Sequence, residues 1–182
     1  MRVFIGSSSK QYPVVKEIKR DLREYIQNSP IQITDWMEWF GQGKHTGYNT
    51  WDIIEKALRS FDVAIMLFAK DDDIIENGNE RKVTRDNVLI EAGAFASSLG
   101  IERVIILSQL DQDYRLPTDF CGLNCIKFNF DRGADNEQAY RQIIEKFQYL
   151  LEKEWNQVEL STQPLIKNQN PIRIRKGKGK IV

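Results

Sequence analysis

The sequence predicts an α/β fold, a five-stranded parallel sheet with helices on both faces. Three observations carry this expectation. Val63-Ala64-Ile65-Met66-Leu67-Phe68 and Val104-Ile105-Ile106-Leu107 are unbroken apolar runs, the pattern of strands buried on both sides. Segments with apolar residues three and four apart fall between such runs, as helices do. The 182 residues, 41% hydrophobic and 29% charged, suffice for one ordinary core and not for two.

Arg2 to Gly6 is a β-rich run that stops at a glycine and passes into Ser7-Ser8-Ser9. Pro13 suits the first turn of a helix from Tyr12 to Ile26, whose Val15, Ile18, Leu22 and Tyr25 or Ile26 share a face. Ile31 to Trp36 is a second strand. Residues 37 to 49, aromatic at Trp39 and Phe40 and then broken by Gly41, Gly43 and Gly47, read as a long functional loop. Asn49 or Thr50 can cap a helix from Trp51 to Ser60 that buries Trp51, Ile53, Ile54, Ala57 and Leu58. Val63 to Phe68 is the central strand. Lys70 to Thr84 lacks apolar periodicity and reads as a long solvated connection, with Asp71-Asp72-Asp73 a solvated acidic run rather than a magnesium site.

Asp86 to Leu99 is a helix burying Val88, Ala92, Phe95, Ala96 and Leu99, and Gly100 ends it. Val104 to Leu107 is the next strand, Leu116 to Phe120 a turn-rich link and Cys125 to Phe128 the last strand. Glu137 to Trp155 is a closing amphipathic helix through Ile143, Ile144, Phe147, Leu150 and Leu151. The body spans residues 1–156, and 157–182 form a basic flexible tail or linker. Such alternation demands right-handed crossovers and a ligand crevice at the carboxyl ends of the strands, and a flavodoxin-like sheet fits it best.

Composition excludes several classes of function. No apolar run approaches the roughly 20 residues of a membrane span, and Val3-Phe4-Ile5 is too short for a secretory signal, so a cytoplasmic protein without a membrane partner is expected. Cys121 and Cys125 cannot build a disulfide framework or a four-ligand zinc site. The single histidine, His45, lies in a polar stretch and gives a Ser-His-Asp triad or a metal site poor support. Lys167, Arg173, Arg175, Lys176, Lys178 and Lys180 oppose only Glu159 in the tail, a net +5 that leaves the body at −5. An acidic body argues against a nucleic-acid partner.

Glu91 lies about 80° from the centre of the apolar face of its helix, at 100° per residue, a turn and a half from the helix start. A carboxylate there can face a crevice while partly desolvated; it can equally favour the helix dipole or pair with Arg85 or Arg103. Gly6-Ser7-Ser8-Ser9 can approach and grip ribose or phosphate, or cap a helix; it is neither a Walker loop nor a dinucleotide fingerprint. Trp36, Trp39 and Phe40 can stack on nicotinamide or adenine, or pack beneath the loop.

Val3 to Ser9, Ser60 to Met66 and Arg85-Asp86-Asn87-Val88-Leu89-Ile90-Glu91-Ala92-Gly93, with Leu116-Pro117-Thr118-Asp119 and Gly122-Leu123 behind them, cover most of residues 2–130 in order. Together they resemble the bacterial TIR-like domains of cyclic-nucleotide-triggered anti-phage systems of the CBASS and Pycsar types, TIR-STING effectors included. The resemblance implies a TIR fold, with Glu91 as catalytic residue for cleaving the nicotinamide–ribose bond of NAD. It makes Gly6, Ser7, Ser8, Ser9, Trp36, Trp39, Phe40, Arg85 and Asn87 the substrate contacts. NAD is then a substrate, no metal or other cofactor is needed, and activity follows self-association, under a cyclic-nucleotide-sensing domain or partner. Many TIR enzymes have an aromatic or small residue four positions before the glutamate, where this chain has Asn87. Two other readings stand beside it: a non-catalytic TIR interaction module, and a nucleoside deoxyribosyltransferase-like enzyme with a helix-borne glutamate.

Overall fold

The computed structural model describes residues 1–41, 47, 49–76, 78–109, 114, 118–120 and 124–162, of which 155–162 by backbone alone. The strands are β1 (Arg2–Gly6), β2 (Gln32–Asp35), β3 (Val63–Phe68), β4 (Asp72–Glu76), β5 (Asn79–Val83), β6 (Val104–Ser108) and β7 (Cys125–Lys127). The helices are α1 (Tyr12–Tyr25), α2 (Trp36–Gly41), α3 (Thr50–Ser60), α4 (Asp86–Leu99) and α5 (Glu137–Thr162). Five strands pair in the order β2-β1-β3-β6-β7, every neighbour parallel. This is the flavodoxin-like order, and β3 is its centre.

Alternation along the strands divides the interior into two layers. Val3, Ile5, Val63, Ile65, Leu67, Ile105 and Leu107 face α1 and α5, meeting Val15, Ile18, Leu22, Ile143, Phe147 and Leu150. Phe4, Ala64, Met66, Phe68, Val104 and Ile106 face α3 and α4, meeting Ala57, Val88, Ala92 and Phe95. Phe4 stacks on Phe95 with ring centroids 4.9 Å apart. The chain reverses direction across the sheet between β1 and β3, so the loops that follow those strands part there and leave a crevice.

Five expectations need correction. Lys70 to Thr84 is not a solvated connection: β4 and β5 pair antiparallel within it, Asp72 opposite Val83 through Glu76 opposite Asn79, and Gly78 supplies the turn at φ 78°. Its carboxylates are also engaged, Asp72 by Arg85 and Lys10, and Asp73 by Lys82. Residues 37–41 continue α2 instead of opening a loop, because Asp35 Oδ1 accepts from the Glu38 backbone N–H at 2.9 Å and so starts a helix. Trp51, expected on the buried side of α3, is 61% exposed; Ile53, Ile54 and Ala57 take that side, and Asn49 caps the helix in a capping box with Asp52. α5 runs to Thr162, past the helix end expected at Trp155. His45, Cys121 and residues 163–182 lie outside the described residues. Ala96 and Leu99 are only partly buried, packed on the rim of the second layer.

Candidate functional site

Glu91, Arg85 and Asn87 meet Ser7, Ser8, Ser9, Trp36 and Phe40 around one cavity of about 250 Å³ at the carboxyl ends of β1, β2 and β3. It is smaller than the roughly 300–1,000 Å³ usual for small-molecule sites. Thr50 and Val88 also line it. The sequence marks these two as a cap and a core residue, and nothing in their spacing separates those roles from lining a site.

Each wall has a physical origin. β1 ends at Gly6, where an added Cβ would come within 2.6 Å of Met66 Cε and 2.8 Å of its Sδ. A Cβ there would push the flexible end of the Met66 side chain aside, and Gly6 does not itself line the cavity. Beyond it the chain turns sharply, burying Ser7 and Ser8. Ser7 Oγ donates to the Ser8 carbonyl at 3.0 Å and accepts from Trp36 Nε1 at 3.0 Å, tying the serine loop to the aromatic wall. Ser8 is 4% exposed, and its Oγ has no hydrogen-bond partner among the described residues. A buried hydroxyl without a partner is costly unless a ligand supplies one.

The aromatic wall is α2. Trp36 meets Phe40 edge-on at 6.4 Å and Tyr12 at 5.8 Å. Trp39 points away from the cavity: it packs on Phe61 at 5.0 Å and donates to the Ile53 carbonyl. Beneath α2 lies a buried ion pair that sequence reasoning did not find, Lys19 Nζ to Asp35 Oδ2 at 2.8 Å. Lys19 also reaches Glu38, so one ammonium ties α1 to both β2 and α2. The only signal for it was a lysine one residue beyond Ile18 on the apolar stripe of α1.

The third wall is the start of α4. Arg85, its N-cap, holds extended backbone and offers no side-chain cap. Its guanidinium grips Asp72 through two bonds of 3.2 and 3.1 Å, and this pairing draws the Asp72 carboxyl below its ordinary range. Arg103 pairs with Glu154 at 2.8 Å. Neither arginine is spent on Glu91, which makes no hydrogen bond or ion pair among the described residues. Burial without a compensating charge lifts the Glu91 carboxyl from 4.5 to about 7. A carboxyl on the edge of ionisation, desolvated and facing a cavity, can exchange a proton or stabilise a nearby positive charge.

A wider hollow of about 730 Å³ lies at the β7 edge, lined by mostly exposed polar side chains such as Lys127, Asn129 and Gln138. Apart from Cys125 it contains none of the residues the sequence singles out.

Comparison with known proteins gives these features a family. Residues 2–130 match the model of the TIR domain of CAP12/Pycsar effector proteins. The chain is 31% identical over 137 residues to the Pycsar effector protein XpPycTIR of Xanthomonas perforans, covering 75% of this chain and 43% of that one. It is 33% identical over 135 residues to the CD-NTase-associated protein 12 of Sphingobacterium faecium, covering 74% and 38% respectively. The chain thus spans less than half the length of these relatives. It belongs to the CAP12/Pycsar effector TIR-domain family.

Proposed function

We propose that this CAP12/Pycsar effector TIR domain is an NAD glycohydrolase that serves anti-phage defence when its protomers associate, with Glu91 as the catalytic residue. The observation that carries the reading is the unpaired, desolvated Glu91 carboxyl lining the same cavity as the partnerless Ser8 hydroxyl.

Cleaving the nicotinamide–ribose bond releases a neutral base and leaves positive charge on the ribose ring. A fixed carboxylate beside that charge stabilises it without metal or histidine, and gains strength from low local polarity. Glu91 in its ionised form supplies the charge, and Ser8 Oγ supplies a hydrogen bond to a ribose hydroxyl. Water then attacks the ribose carbon, giving ADP-ribose and a proton. Trp36 and Phe40 offer apolar ring surface to the nicotinamide. The CD-NTase-associated name of a relative supports a cyclic-nucleotide signal upstream, received by a partner or a further domain.

The test is nicotinamide release from NAD, followed by chromatography at high protein concentration, beside Glu91→Gln and Glu91→Ala. Release by the native chain that both substitutions abolish is expected. Equal release from the variants removes Glu91 from the mechanism. Self-association without NAD turnover, unchanged in Glu91→Gln, identifies an interaction module instead. Transfer of the sugar to a free base identifies a deoxyribosyltransferase-like enzyme.

A further inference from the structure

One buried cation has no part in the chemistry proposed for Glu91. Lys19 is buried on α1, and its Nζ meets Asp35 Oδ2 at 2.8 Å and the Glu38 carboxylate. Asp35 ends β2 and Glu38 lies in the first turn of α2, so the ammonium sits at the joint between the two. The other Asp35 oxygen, Oδ1, accepts from the Glu38 backbone N–H at 2.9 Å. Tyr12 stands two turns before Lys19 on the same face of α1 and meets Trp36 edge-on, so one stripe of α1 holds α2 by a ring and by a charge. From α2, Trp36 and Phe40 line the cavity.

We infer that Lys19 is the positioning residue of the aromatic wall: by clasping Asp35 and Glu38 it seats α2 and thereby sets how tightly the cavity grips a ring-bearing ligand. This rests on the NAD reading above and deepens it.

α2 has six residues, too few to keep a helical shape in isolation, and none of them is fully buried. Packing alone therefore leaves it loosely placed, and the polar ties at its first turn fix where Trp36 and Phe40 stand. A buried ion pair adds little net stability over an apolar replacement. What it supplies here is a fixed geometry, because an ammonium shared by two carboxylates loses a partner when α2 shifts. A wall that is seated only part of the time weakens apparent affinity by that fraction, while the bound complex reacts as before. Loss of the clasp then appears in KM and not in kcat.

The experiment measures nicotinamide release from NAD and amide hydrogen exchange on the same variants. Lys19→Met with Asp35→Asn removes the clasp without leaving a buried charge, and Asn still accepts from the Glu38 N–H. Its KM for NAD should rise about tenfold, the worth of one charge-assisted hydrogen bond, with kcat within twofold. Glu38→Ala spares the buried pair and should raise KM about threefold, since a half-exposed ion pair is worth less. Glu38→Gln, whose amide oxygen still accepts from Lys19, should keep KM within about twofold of native. In the double variant the amides of Trp39, Phe40 and Gly41 should exchange about tenfold faster relative to those of β6. Loss of fold alone lowers kcat at constant KM; that pattern, or an unchanged KM in Glu38→Ala, overturns the inference. If the double variant does not fold, Glu38→Ala decides alone. If the native chain releases no nicotinamide, the NAD reading falls and exchange decides: faster α2 amides in Glu38→Ala uphold the seat, and native rates overturn it.

Discussion

Replacing Glu91 by Gln should make the protein more stable at alkaline pH. Burial lifts the carboxyl from 4.5 to about 7, so the folded chain holds this proton more tightly than the unfolded chain does. The contribution is complete below pH about 4.5, is lost as pH rises to about 7, and stays lost above it. At 1.36 kcal/mol per pH unit, the interval from 4.5 to about 7 corresponds to about 3 kcal/mol of stability forgone at pH 8. Gln keeps the shape of the protonated acid and carries no charge to desolvate. For a chain of this size 1 kcal/mol moves the melting temperature by about 2–4 °C, which puts the ceiling at about 12 °C. Glu91 keeps some contact with solvent, so about half that gain is expected. Scanning calorimetry of native and Glu91→Gln chains at pH 5 and pH 8 tests this: the gap should be wide at pH 8 and nearly closed at pH 5. A variant that melts no higher than the native chain at pH 8, or a gap indifferent to pH, would refute a desolvated, unpaired carboxyl.

Other outcomes follow from the same geometry. If ionised Glu91 stabilises the ribose cation, kcat/KM for nicotinamide release should rise with pH and level off above about 7, a limb that a stopped assay from pH 5.5 to 8.5 would reveal. Lys19→Met leaves buried Asp35 without its cation and should cost about 3–5 kcal/mol in urea unfolding, with part recovered when Asp35→Asn is added. Gly6→Ala presses a methyl against the end of the buried Met66 side chain and should cost about 1–3 kcal/mol in urea unfolding. Trp36→Phe removes the bond to Ser7 Oγ, and should cost about 1 kcal/mol in urea unfolding while raising the KM for NAD.

The main sheet was legible because its strands are buried on both faces. Val63 to Phe68 and Val104 to Ser108 have no polar residue on either side until Ser108, and only a central parallel strand tolerates that. The β4–β5 hairpin was hidden because none of its residues is fully buried. Ile75 is 83% exposed at its far end and charges fill both strands, so alternation had no apolar face to report; Asn77-Gly78 was its one turn signal. α2 is too short for periodicity, and its start depends on a single carboxylate, Asp35. Glu91, the serines, Trp36 and Phe40, singled out through helical geometry and a motif resemblance, line one cavity, whereas Gly6 and Trp39 do not. The ties that position the cavity residues were not legible, because Lys10 with Asp72 and Lys19 with Asp35 join residues whose nearness only the folded chain creates.

The sheet order also sets a timetable for synthesis. The strands β2, β1 and β3 have all been synthesised by Phe68, and with them the serine loop and the aromatic helix. One edge of β3 then stays bare until β6 arrives at Val104, and the layer around Met66 and Phe68 stays bare until α4 covers it. The carboxyl of Glu91 travels on that same helix. A nascent or truncated chain therefore lacks the acid for as long as it lacks this cover.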